Sequence, residues 1–421
     1  MPIRRPSTTR RLGPALAVAL LLAACNPAPP TAAPTATPAP LASPTAAPSQ
    51  PPAAEVYSAI RKQVETIRGL QPSADVDPVT LDEAQLLKNL TAEFDAENSA
   101  KDLEFSQDTL IALGLLPAGS SLRDLTLDFQ GSQVAGYYSP DKNELFVVSR
   151  SGGLGPAEEV TYSHEFTHQL QDQNFDLDNL GADAANQSDR ALAQLALVEG
   201  DAVSVQNRWT TENLTPEEMG QLLTASLDPK ALEALQRAPA YLRETSLFPY
   251  LTGNPFVESL IAGGGYKAVN DAFGTPPLST EQILHPQKYA AREAPIVVKV
   301  PTDLAAQLGA GWSQAAEDTL GEFILRLWLI QGGVPTPTAG EAAAGWGGDR
   351  LALLRGPNGA TTVYLETEWD TLADASEFAA AAKTAVAGLG LKGQVVFNER
   401  GPKVYVTIGS GAEVIEPRFF N

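Results

Sequence analysis

Apolar residues recur at helical spacing through the first folded stretch, where Val56, Ile60, Val64 and Ile67 predict an amphipathic helix. Thr80-Leu81-Asp82-Glu83 reads as a capping box that opens a second helix, and residues 106–116 supply a third. The pattern then changes to short β-like runs at 125–130 and 133–138, a Ser139-Pro140-Asp141-Lys142-Asn143 turn, and a further run at 144–149. A hairpin is therefore expected just ahead of a helix at 156–175. That helix has Pro156 near its start, Glu158 and Glu159 in its first turn, and Val160, Phe166 and Leu170 among polar residues. Residues 184–209 again have strong helix character, and 214–289 are mostly helical. Thr215-Pro216-Glu217-Glu218 and Ser279-Thr280-Glu281-Gln282 mark helix starts there, and Gly263-Gly264-Gly265 reads as a hinge or a close-packing turn.

Past Pro295 the periodicity shortens. Residues 296–300 read as a strand, 315–330 as a strongly apolar core helix too short and too charged to span a membrane, and 335–339 as a loop. Strands at 350–354, 361–366, 394–398 and 404–409 and a helix at 373–388 complete a small α+β lobe with an antiparallel sheet. The expected fold class is α+β: a mostly helical body at 55–295 with a small antiparallel sheet beside the 156–175 helix, then a C-terminal lobe at 296–421.

The N-terminus changes the picture of where such a body works. Arg4, Arg5, Arg10 and Arg11 precede an apolar run that ends in Leu22-Ala23-Ala24-Cys25. A charged region, a short apolar core and small residues before a cleavage point read as a signal peptide at 1–24. The ending resembles a bacterial lipobox, which implies a lipidated Cys25 and an extracytoplasmic, membrane-anchored protein. Cys25 is the one cysteine, so no disulfide forms within a molecule. Residues 25–54, rich in Pro, Ala and Thr, cannot bury a core and read as a spacer. Taking the four signal arginines from 29 basic residues leaves 25 against 50 acidic ones. Nucleic acid is thereby excluded as a natural partner.

The chemistry concentrates in His164-Glu165-Phe166-Thr167-His168, which holds two of only three histidines. On a helix, residues four apart leave the same face, so both imidazoles can converge on one ion. Chance matches to this pattern in such a chain number on the order of 0.001. Zinc suits the arrangement, because neutral imidazole is a borderline ligand and three protein ligands leave a position for water. A zinc site would lower the pKa of that water, with Glu165 taking its proton. A third ligand is needed. Glu199, in Leu197-Val198-Glu199-Gly200-Asp201-Ala202, stands where an unpaired carboxylate would be expensive to bury, unless it is a partly exposed helical glutamate. Gly200 and Ala202 would let its helix approach the motif helix, and Asp201 is placed to hydrogen-bond a ligand imidazole.

His164-Glu165-x-x-His168 followed by Glu199 in an E-G-x-A setting resembles the gluzincins, the thermolysin-like and aminopeptidase-like zinc metallopeptidases. The chain also resembles bacterial lipoproteins of uncharacterised peptidase families, which combine a similar hairpin, motif helix and E-G-D-A helix. The resemblance implies a zincin-type core and one zinc per chain held by His164, His168 and Glu199. It implies Glu165 as general base acting on a peptide or protein substrate. It also implies that His285, with Tyr289, stabilises the oxyanion, against a reading of His285 as a helix-terminal histidine bonding the last carbonyls. A strand at the hairpin would edge the cleft and pair with substrate, making Tyr137 and Tyr138 substrate-binding, or simply packing, residues. The chain departs from the thermolysin pattern in its longer spacing to Glu199 and in Val203, where those enzymes carry an aspartate. A competing reading is a lipoprotein that keeps this fold as an inactive binding or scaffolding module, which would have no need of an intact Glu165.

Overall fold

The computed structural model describes residues 16–18, 52–149, 153–177, 179–180 and 186–416. Cys25 and the spacer up to residue 51 lie outside them, and of the signal-like stretch only the backbone of strand β1 (Leu16–Val18) is described. Helix α1 (Ala53–Arg68) buries Ile60 and Val64 and ends at Gly69, whose φ of 71° suits a residue without a Cβ. Among the described residues no helix is long and apolar enough to cross a membrane.

Two boundaries differ from the sequence pattern. The capping box forms two residues later than read: Asp82 accepts from Gln85 N at 2.8 Å and Gln85 Oε1 accepts from Asp82 N at 2.9 Å. Thr80 and Leu81 therefore finish a strand, β2 (Pro78–Leu81), and helix α2 (Glu83–Glu97) starts beyond it. Helix α3 (Ala100–Ala112) comes next. Residues 125–130 are not a strand but part of helix α4 (Leu122–Gln133), which the Ser121 side chain caps. Their alternating polarity is overridden by that cap and by packing of Leu127 with Leu86 and Leu90 of α2.

The hairpin forms as β3 (Val134–Ser139) and β4 (Glu144–Val148), antiparallel with Tyr137 opposite Phe146. Asn143, at φ 51°, closes its turn. β1 joins β3 antiparallel, but β2 joins β4 in parallel, so this sheet, ordered β1-β3-β4-β2, is mixed and not purely antiparallel. A parallel partner is reachable because α2 to α4 intervene between β2 and β3 in sequence.

The sheet lies on α5 (Pro156–Phe175), whose bounds match the sequence reading. A Cβ on Gly136 of β3 would stand 2.6 Å from Thr161 Cγ2, so only glycine permits this approach. Helix α6 (Ser188–Asn213) packs on another side of α5, followed by α7 (Pro216–Ser226), α8 (Pro229–Arg237) and α9 (Ala240–Leu251). Helix α10 (Gly253–Gly274) is kinked at Gly264 and Gly265, the latter at φ 64°. Short helices α11 (Thr280–Leu284) and α12 (Pro286–Ala290) end this part. Gly200 serves α10 and not the approach to α5: a Cβ there would stand 2.3 Å from Gly253 O.

After α13 (Leu304–Leu308), the apolar 315–330 run divides into β5 (Ser313–Asp318) and α14 (Gly321–Gln331). Gly321 at φ 74° makes the turn, and the Asp349 carboxylate accepts from Leu320 N at 2.9 Å and Gly321 N at 2.8 Å, anchoring the α14 start. Helix α15 (Thr336–Ala343) replaces the expected loop. Residues 296–300 stay extended outside a ladder, held by Ile296 N on Gly347 O at 2.7 Å. β6 (Trp346–Arg355), β7 (Thr361–Trp369), α16 (Leu372–Gly388), β8 (Gly393–Asn398) and β9 (Lys403–Gly409) complete an antiparallel sheet ordered β5-β6-β7-β9-β8. Its core also takes in Leu110, Leu113, Leu115 and Leu116 from the end of α3, and Trp328 Nε1 donates to Leu113 O at 3.1 Å.

Gly200→Ala should lower stability by about 1–3 kcal/mol, since the backbones of α6 and α10 must part. Gly220→Ala, where nothing lies within 4 Å on α7, should raise it by about 0.5–1 kcal/mol. Urea unfolding midpoints of the two variants test this opposition of sign.

Candidate metal centre

Helix α5 is enclosed on all sides, and its middle is polar as well as buried. Most of these groups find partners, as burial demands. Ser163 Oγ donates to Val160 O at 2.7 Å, Thr167 Oγ1 to Ser163 O at 2.8 Å, and Gln169 Nε2 to Ala74 O at 2.9 Å. What is left over is His164, Glu165 and His168.

Glu199 of α6 faces the two imidazoles. Its Oε2 lies 3.2 Å from His164 Nε2 and 3.4 Å from His168 Nε2, and the two Nε2 atoms are 3.0 Å apart. All three residues are buried, and their donor atoms form one cluster that can hold a metal ion. Ligands about 2.0–2.1 Å from an ion in tetrahedral array are separated by about 3.3 Å, so the three observed separations fit edges of such a site.

The His168 ring is oriented from behind. Its Nδ1 lies 2.8 Å from Gln171 Oε1, and the Gln171 amide nitrogen donates to Val198 O at 3.0 Å and Asp201 Oδ2 at 2.9 Å. Two acceptors fix the amide nitrogen on their side, so the amide oxygen faces the ring and Nδ1 must carry the hydrogen. When the ring is neutral, its Nε2 lone pair is thereby directed at the cluster. Asp201 thus reaches the imidazole through Gln171 and not directly, and Arg68 Nε donates to its carboxylate at 2.9 Å. Gln171 was visible in sequence only as a residue three past His168, on the same helical face. Arg68 of α1 gave no signal at all.

The charges follow from burial and proximity. Burial pushes Glu199 up, but the His168 charge and both imidazole hydrogen bonds outweigh it and hold the carboxyl below its ordinary range. Burial pushes His168 down, and Glu199 more than reverses that. His164 is lowered by burial and by the neighbouring His168 charge. Glu165 is raised well above the ordinary carboxylate range, first by burial, which outweighs the opposing pull of the His168 charge and of the Tyr138 backbone N–H. Tyr250 of α9, which the sequence did not single out, stacks on His164 with ring centroids 6.2 Å apart.

The side chains of the remaining sequence candidates are engaged away from the three donor residues, although the Tyr138 backbone in β3 reaches Glu165. Tyr137 is buried, stacks on Phe146 and takes a hydrogen bond from Asn89 at 3.0 Å. Tyr138 is buried with its hydroxyl 2.8 Å from Asn143 Oδ1 and 2.9 Å from Asp172 Oδ2. Tyr289 packs edge-on to Phe256 and donates to Thr275 O at 2.9 Å. His285 sits between α11 and α12, with Nε2 3.0 Å from Glu322 Oε1 of α14. It is not one of the three residues of the cluster.

Residues 307–414 match a family described as Domain of unknown function (DUF8575), a span that covers the C-terminal sheet and stops short of every residue of the metal cluster. No curated protein is similar enough to this chain to match it.

The hydrogen bond and charge of Glu322 raise the His285 pKa. A histidine whose folded pKa exceeds its unfolded value binds its proton more tightly when folded. The pair therefore stabilises the fold below about pH 6.5, and the contribution disappears as pH rises through the raised value. His285→Gln should accordingly lose within about 1 kcal/mol relative to wild type at pH 6 and close that gap by pH 9. Unfolding curves at the two pH values give the difference.

Proposed function

We propose that this chain is a zinc-dependent peptidase with a zincin-type core, its ion held by His164 Nε2, His168 Nε2 and Glu199 Oε2. The spacing of those three atoms carries the reading, since separations of 3.0, 3.2 and 3.4 Å suit one small tetrahedral ion. Two imidazoles and one carboxylate are also a donor set of catalytic zinc sites that keep a fourth position for water. The lipobox-like ending at Cys25 supports a lipid-anchored site of action outside the cytoplasm.

Zinc bound there supplies a Lewis acid for the scissile carbonyl and lowers the pKa of a water towards neutrality. Glu165 does the proton chemistry. One of its carboxylate oxygens takes a proton from water as the water oxygen bonds to the carbonyl carbon. Glu165 then passes that proton to the amide nitrogen as the carbon–nitrogen bond breaks. Burial favours the protonated form of Glu165 and so helps it hold the proton between the two transfers. Gln171 keeps His168 Nδ1 protonated, and Tyr250 braces the face of His164. The peptide itself is the partner this chemistry requires.

Glu165→Gln should lower kcat/KM on a peptide mixture by about 10²–10⁴ with one zinc per chain retained. Loss of zinc from that variant would show Glu165 to be a ligand instead. In Glu199→Ala, metal analysis of the purified chain should show zinc falling sharply below one per chain. Retention of the full complement would remove Glu199 from the site.

A further inference from the structure

We propose that Arg68 is a positioning residue for the metal centre, acting through Asp201 and Gln171 on His168, so that docking of helix α1 and binding of the ion reinforce one another. This rests on the zinc-site reading above and adds a fourth structural element, α1, to the site.

The observation is a continuous buried chain of polar contacts. Arg68 Nε donates to Asp201 at 2.9 Å, Asp201 accepts from Gln171 Nε2 at 2.9 Å, and Gln171 Oε1 faces His168 Nδ1 at 2.8 Å. Arg68, Asp201, Gln171 and His168 are each at most 1% exposed. Every link has a fixed polarity. Arg68 can only donate and the Asp201 carboxylate can only accept, so the Gln171 amide must turn its nitrogen towards Asp201 and its oxygen towards the ring. Val198 O, at 3.0 Å, and Asp201 together hold the Gln171 amide this way round, and Arg68, 133 positions from Asp201, holds the Asp201 half of that pair in place.

A purely structural role does not account for Arg68. Its Nη1 and Nη2 atoms are buried without a hydrogen-bond partner, its guanidinium resting 4.8 Å from the Tyr266 ring centroid and 5.9 Å from that of Phe175. Burying a guanidinium with two nitrogens unmatched costs several kcal/mol, and apolar side chains fill such a place at lower cost. What apolar replacement cannot do is balance Asp201. Without that cation the carboxylate would be an unpaired charge in the interior, and Gln171 would be held firmly by only one of its two acceptors, Val198 O. The rest of α1 is held against the same two helices: Arg61 Nε donates to Tyr162 of α5 at 2.6 Å, and Trp209 Nε1 of α6 donates to Gln63 Oε1 at 2.8 Å. Displacing α1 removes Arg68 from Asp201, and binding an ion through His168 rewards the arrangement in which Arg68 is in place. Thermodynamic linkage makes these two effects equal.

The test measures zinc affinity by chelator competition on the full chain as wild type, Arg68→Met, Arg68→Lys and Gln171→Met. Zinc affinity should fall about 10–100-fold in Arg68→Met and in Gln171→Met, and Arg68→Lys, which keeps the charge, should recover much of it. Unchanged affinity in folded Arg68→Met overturns the proposal while leaving the zinc site itself intact. A wild-type chain that takes up no zinc overturns both. If Arg68→Met does not fold, hydrogen exchange on the wild type decides: zinc should slow exchange of α1 amides about 10-fold more than that of α16 amides in the distant lobe. An equal effect on both helices would reduce Arg68 to a packing residue.

Discussion

A buried polar atom without a partner costs about 1–3 kcal/mol, and helix α5 carries a run of polar side chains into the interior. Much of the surrounding architecture answers that demand. The segment after α1 supplies Ala74 O to Gln169, α6 supplies Val198 O and Asp201 to Gln171, and α1 supplies Arg68 to Asp201. The β3–β4 hairpin covers a further side, where Gly136 brings its backbone against Thr161. Once these requirements are met, the middle of α5 still holds Glu165, and the nearby donor cluster comprises two imidazoles and Glu199. The site is what remains after the helix has been solvated by protein.

The parts legible in sequence were those governed by short-range rules. The bounds of α5 followed from Pro156 and the acidic first turn, and the His164, His168 pairing followed from helical geometry alone. Glu199 was visible because an apolar setting makes a carboxylate conspicuous. Errors arose where two local signals competed. Residues 125–130 alternate like a strand yet are helical, because Ser121 caps them and Leu127 meets α2. The 315–330 run looked continuous because Gly321, whose φ of 74° breaks it, is only one residue in an apolar stretch. The partnership of Arg68 with Asp201 was illegible for a different reason. It joins positions that no local pattern relates, and only the packing of α1 brings them together.

The C-terminal sheet is tied to the helical part through charge as well as through apolar contact. Lys288 of α12 places its ammonium between Glu281 at 2.6 Å, Glu293 at 2.7 Å and Asp370 at 2.7 Å, so three carboxylates that together might pass for a cation site already hold one. Burial raises Glu281 to about 7 even so, against the pull of Lys288. Nearby, Asp189 in the first turn of α6 accepts from Thr280 N at 3.1 Å, and Thr280 Oγ1 in turn accepts from Phe323 N of α14 at 3.2 Å. Helix α6, which carries Glu199, is thus fixed near its start to the same joint that seats α14. The sheet lobe acts as an abutment for the helix that closes the metal cluster.

The long reach of the Arg68–Asp201 contact also bears on the order in which the molecule is put together. Closing a loop of 133 positions is slow relative to forming local helices, since the entropy of closure is spent before the contact repays it. Helices α5 and α6 can meet early, because Glu199 follows His168 through a single connection, but α1 must return from the far end of the chain to finish the interior. Docking of α1 is then one of the slower contacts to form, together with the still longer reach of 215 positions from Leu113 to Trp328. A chain in which α1 has not docked would have His164, His168 and Glu199 in proximity but Asp201 without its cation, so on the proposed zinc reading tight metal capture would report the completed fold and not merely a collapsed one.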